Sequence, residues 1–151
     1  AGIDPITSPD VALLTVAMAA QHPPRAETIA VLLDDARRGF AIVVVADTTR
    51  PDDVLEVVEC LTRPAAHGGR AGALVLASVR PALAHTVGTA CDDVQGFGLD
   101  CELDCECDRD VERWLELSDI AEHAGVELLE WFVITGEVTC PRDRLGEAPR
   151  W

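Results

Sequence analysis

The sequence predicts an α/β fold in which a single-layer mixed β-sheet is flanked by helices. Three observations carry that prediction. Apolar, β-branched runs at residues 27–33, 40–46, 73–79 and 126–134 have the length of buried strands. The first two are joined only by the polar turn Asp34-Asp35-Ala36-Arg37-Arg38-Gly39, which predicts an antiparallel hairpin. Helical periodicity occupies the other long intervals, so the order is helix, strand, strand, helix, strand, helix, strand, with no internal repeat.

Each element follows from local chemistry. Ser8-Pro9-Asp10 is a helix start, with a capping Ser and a Pro in the first turn, and an apolar segment follows at residues 11–20. No Lys or Arg precedes that segment, so a short helix is expected rather than a signal peptide. Gln21-His22-Pro23-Pro24 is a hinge, and the first strand runs from Glu27 to Leu33. Arg50-Pro51-Asp52 opens the next helix with acids near its positive end. Val54, Leu55, Val58 and Leu61 give that helix its apolar spacing, and Arg63-Pro64 is expected to stop it. A Gly-rich loop at 65–72 leads to the strand at 73–79. After an aperiodic region, a helix at 108–124 is marked by Val111, Trp114, Leu115 and Ala121, with Gly125 as its C-terminal cap. The strand at 126–134 closes the domain.

The chain has 151 residues, 48% of them hydrophobic, which suits one domain with a real core. We divide it into an N-terminal helix and hinge (1–22), a domain (23–136) and a loosely held tail (137–151). Its formal net charge is −15, and all twelve basic residues are Arg. Such a charge argues against the clustered basic footprint of a nucleic-acid binder and disfavours an anionic membrane surface. A partner surface is expected to be basic. With no run of membrane-spanning length, a cytoplasmic location is expected.

Several pieces, in order, resemble the JAB/MPN fold of RadC-like proteins and JAMM metalloproteases. They are Pro24-Arg25-Ala26-Glu27-Thr28-Ile29-Ala30-Val31-Leu32-Leu33-Asp34, then Arg50-Pro51-Asp52-Asp53-Val54 after the second strand. The segment 72–81 lies where that family has a strand running into His-x-His-Pro, and Gly125-Val126-Glu127-Leu128-Leu129-Glu130-Trp131-Phe132-Val133-Ile134-Thr135-Gly136 is similar to its closing strand. The resemblance implies an MPN/JAB-like sheet over residues 23–136. A cytidine-deaminase-like α-β-α arrangement is compatible with the same order.

The family's chemistry uses a zinc ion on two histidines and an aspartate, with a separate glutamate activating the bound water. By resemblance the glutamate position is Glu27. The two histidine positions hold Ser78 and Arg80, with Pro81 kept after them. A hydroxyl is a poor zinc ligand, and a guanidinium has no lone pair to give. Counting strictly onward places Gly88 and Cys91 at the family's Ser and Asp. Counting back from Gly125 places Cys107 and Asp110 there, and we prefer this register because it keeps the helix intact. It makes residues 82–107 an acidic, Cys-rich insertion.

Each candidate has a plainer alternative. Glu27 is either a relic base or, as we prefer, an acid flanking a strand. We expect it near Arg80, as an ion pair in place of the lost metal centre. Asp110 is a remnant ligand or, preferably, an acid in the first turn of its helix. In the insertion, His85 with Cys101, Cys105 and Cys107 forms an alternative zinc set, although Cys-x3-Cys-x-Cys is not a standard zinc spacing. We place an acidic loop with free thiols first, that metal site second and disulfides third. Cys60 is expected in the core, Cys140 is uninterpretable, and His22, His67 and His123 are not grouped. The expected function is a non-catalytic, pseudo-metalloprotease domain for protein interaction or regulation, needing no cofactor. The alternatives are a hydrolase with a relocated Cys/His metal site and a metal- or redox-responsive binding protein.

Overall fold

Strand β1 (Glu27–Leu33) pairs antiparallel with β2 (Gly39–Ala46) on one side and with β3 (Ala73–Val79) on the other. These and the following elements come from a computed structural model that describes residues 4–81 and 106–151. Strand β3 runs parallel to β4 (Glu127–Ile134), and the short β5 (Val138–Thr139) pairs antiparallel with β4. The result is one five-stranded mixed sheet in the order β2-β1-β3-β4-β5. β1 and β3 are buried along their whole length, which is why they read as nearly unbroken apolar runs.

Strand alternation divides the core between two faces. One face carries Ala30, Leu32, Leu74, Leu76, Trp131 and Val133, and packs against helices α2 (Pro51–Ala66) and α3 (Glu106–His123). Val54 and Val58 of α2 meet Trp114, Leu117 and Ala121 of α3 there. The opposite face carries Ile29, Val31, Leu33, Val75, Ala77 and Phe132 beneath α1 (Pro9–Ala19). Ser8 caps α1 by accepting from the Val11 N–H at 3.3 Å, as its position predicts. No helix among the described residues is long and apolar enough to cross a membrane.

Four expectations need correction. Helix α2 does not stop at Pro64 but runs on to Ala66. Pro64 stands in the last turn, and its carbonyl accepts from Gly69 N–H at 2.8 Å, so the chain closes just beyond it. Cys60 is exposed rather than core, because the buried seam of α2 passes through Val54, Val57, Val58 and Thr62. Leu115 is exposed as well, since α3 buries Asp110, Trp114, Leu117, Ser118 and Ala121 instead. That seam puts a carboxylate at a position that helical periodicity would give to an apolar residue.

The tail is also not loosely held. It forms helix α4 (Pro141–Leu145) and docks through two arginines. Arg142 Nε donates to Glu130 Oε2 at 2.8 Å and Nη1 to the Glu147 carbonyl at 2.6 Å. Arg150 lies 5.0 Å from the ring centroid of Trp114 and donates to Ser118 Oγ at 2.8 Å and to the Leu128 carbonyl at 2.9 Å. Trp114 Nε1 donates to Glu147 Oε2 at 3.0 Å. Trp151 packs with the core on the α1 face.

Burial holds the Glu130 carboxyl above the usual carboxylate range, with the Arg142 guanidinium opposing that shift. Folding thus strengthens its hold on a proton, so its contribution to stability is full below the ordinary carboxylate pKa and is lost as pH rises through the raised value. Arg142→Ala leaves this carboxylate buried without its cation. Chemical denaturation should show a loss of about 3–5 kcal/mol near neutral pH. The loss should shrink in acid, where Glu130 takes up its proton.

Candidate functional site

The parallel strands β3 and β4 end together, and the carboxyl end of such strands is where open α/β sheets place their ligands. Arg80 N–H donates to the Ile134 carbonyl at 2.8 Å, so the ladder continues one residue past β3. The Arg80 side chain therefore keeps the pleat parity of Ser78 and enters the face covered by α2 and α3.

Arg80 joins three elements there. Its Nη1 donates to Asp110 Oδ2 and its Nη2 to Asp110 Oδ1, each at 2.8 Å, which is the bidentate geometry a planar guanidinium offers a carboxylate. Nε and Nη2 also donate to the Thr49 carbonyl, at 3.1 and 2.8 Å, just ahead of α2. The Arg80 side chain is 11% exposed and that of Asp110 6%. Asp110, expected as a capping acid in the first turn of its helix, is thus a buried ion-pair partner of Arg80. Nearby, Arg113 Nε donates to Asp52 Oδ1 at 2.7 Å, tying α3 to the first turn of α2 and holding the Asp52 carboxyl below its usual range.

A hydroxyl chain lies beside this pair. Trp131 Nε1 donates to Ser78 Oγ at 3.0 Å, and Ser78 Oγ is 3.0 Å from Thr28 Oγ1. Thr28 donates to the Thr48 carbonyl. Its single proton is used there, so the Ser78 proton goes to Thr28 Oγ1. Ser78 is fully buried, and its proton and one of its lone pairs are already engaged by Thr28 and Trp131.

Glu27 belongs to the other face. It stands opposite Val79 while Thr28 stands opposite Ser78, and a one-residue step along a strand reverses the side-chain direction. Its Oε1 accepts from the Gln21 N–H at 3.0 Å, and among the described residues its buried Oε2 has no hydrogen-bond partner. The expected Glu27–Arg80 pair is therefore not formed. A general base must come within hydrogen-bond reach of the group it serves, and the sheet itself separates Glu27 from Ser78, Arg80 and Asp110.

The structure thus brings Ser78, Arg80 and Asp110 together and leaves Glu27 apart. Thr28, the Thr49 carbonyl and the Trp131 indole complete the site, and sequence reasoning missed all three as site groups. The available signal was a pair of small hydroxyl residues, Thr28 and Ser78, inside otherwise apolar strands. The residues present do not fit zinc, because Arg80 offers no lone pair and Asp110 already binds Arg80 through both oxygens. Among the described residues no group of three or more His, Cys, Asp and Glu side chains is placed to hold a metal ion. His85, Gly88, Cys91, Cys101 and Cys105 lie outside the described residues, and Cys107 falls in the first turn of α3.

Cys140 is half-buried at the start of α4. Burial pushes its thiol up to about 12, and the carboxylates of Glu130 and Asp143 add to the shift. Mass mapping after brief alkylation in mild base should find Cys60 modified and Cys140 intact, since only the thiolate reacts.

Arg80→Met should cost about 3–5 kcal/mol in chemical denaturation, because it removes the bidentate cation from the buried Asp110 carboxylate. Arg80→Met combined with Asp110→Leu should recover most of that loss, since an apolar pair leaves no charge unpaired. A double variant that loses as much as Arg80→Met and Asp110→Leu alone added together would contradict the contact. No family model matches this chain, and no match to a curated protein was found.

Proposed function

We propose that this chain is a RadC-like JAB/MPN domain without metal-dependent catalysis, which acts in the cytoplasm by binding a protein partner with a basic surface. The Arg80–Asp110 pair carries the reading. By resemblance, Arg80 occupies a histidine position and Asp110 the aspartate position of a zinc site. Their contact supports the register in which α3 stays intact and residues 82–107 form the insertion. The guanidinium supplies a fixed positive charge beside Asp110, which satisfies that carboxylate without offering a Lewis acid or an activated water. Ser78 at the other histidine position is bound into the hydroxyl chain with Thr28 and Trp131. Glu27 plays no part in this site. The site then serves to hold α2, α3 and the sheet in fixed relation, and function lies with the surfaces they present.

Metal analysis combined with a hydrolysis assay tests the proposal. The purified protein should hold no stoichiometric zinc, keep its melting temperature in chelator and leave peptide and isopeptide substrates uncleaved. Stoichiometric zinc with turnover would refute the proposal. Zinc that is lost on substituting Cys101, Cys105 and Cys107 would refute it too, in favour of a metal site in the insertion.

A further inference from the structure

Strand β2 is an edge of the sheet: β1 pairs with one side, and among the described residues no strand pairs with the other. The Asp47 N–H donates to the Ala26 carbonyl at 2.9 Å. Antiparallel pairing alternates, so Val45 and Val43 also turn their backbone groups toward β1, while Ala46, Val44 and Ile42 turn theirs outward. Open edges invite pairing with another chain, and proteins usually blunt them with charge, proline or a bulge. Residues 41–46 contain no charge and no proline, and the one register shift lies before them, opposite Leu32 and Leu33. Ile42 and Val44 are 49% and 40% exposed, side by side on the face that α1 partly covers.

Charge stands only at the two ends of this edge. Arg37 and Arg38 precede it and Asp47 follows it. Arg37 already reaches Glu127 at 3.3 Å, whereas Arg38 and Asp47 are exposed and form no ion pair among the described residues. A strand that is positive at its start, negative at its end and apolar between is complementary to an antiparallel copy of itself.

We propose that β2 pairs edge to edge with β2 of a second copy of this chain, about a two-fold axis at Val43. This register sets Ile42 against Val44 of the second copy, with their outward backbone groups matched as a hydrogen-bonded pair. It also brings Arg38 of each copy beside Asp47 of the other, and the two sheets become continuous. One strand edge buries less than the roughly 800 Å² per partner of a standard interface. The dimer therefore forms as concentration rises and is not constitutive.

Sedimentation velocity over a concentration series tests this directly. The mass should climb from 16.2 kDa toward twice that value. Val44→Lys, at an exposed position, should keep its melting temperature and stay monomeric throughout. Arg38→Asp should weaken association several-fold, and adding Asp47→Arg should restore it. A monomer at every concentration would overturn the proposal, as would association that Val44→Lys leaves unchanged.

Discussion

The Arg80–Asp110 ion pair is the contact on which the arrangement at the carboxyl end of the parallel strands depends. It fixes the last residue of the β3 ladder to a buried position of α3, and the Thr49 carbonyl brings the approach to α2 into the same set of hydrogen bonds. Removing two charges from water is expensive, and their attraction offsets that only when geometry and additional hydrogen bonds are good. Here both carboxylate oxygens are bound and three guanidinium nitrogens donate. The contribution of such a pair is chiefly geometric. It allows one relation between β3, α2 and α3, and penalises any arrangement that separates the partners.

The same principle recurs at the far edge of the sheet, where Arg142 reaches buried Glu130 and Arg150 reaches over Trp114. A chain with net charge −15 has few cations, and Arg80, Arg142 and Arg150 stand opposite buried carboxylates or an aromatic face. These contacts draw the tail, α3 and β4 into one core. Among the described residues the outer edge of β2 is left unpaired by contrast, with apolar side chains and outward backbone groups together.

Strands β1 to β4 and their order along the chain were legible because β-branched runs bounded by Gly, Pro and Asp clusters are local signals, whereas β5 was not. β1 and β3 begin and end at the residues where those runs do. The tail was not legible, because what holds it is a set of contacts between residues far apart in sequence, such as Arg150 with Ser118 and Trp114. Cys60 and Leu115 were misread because helical spacing tolerates more than one face, and only packing selects it. At the site, the departure of Ser78 and Arg80 from a zinc motif was visible in sequence, whereas the partner of Arg80 was not. Glu27 was expected beside Arg80 because the family resemblance places both at the lost metal centre. Pleat parity then decided against it, and parity depends on register, which sequence does not display.

The central claim is that Arg80 is locked in a buried, bidentate contact with Asp110. Side-chain NMR of the Arg80 guanidinium tests it most directly. A locked pair predicts slowly exchanging Nε and Nη hydrogens and hindered rotation about the Cζ–Nε bond, with both features abolished by Asp110→Asn. Rapid exchange and free rotation, as for a solvated arginine, would contradict the account.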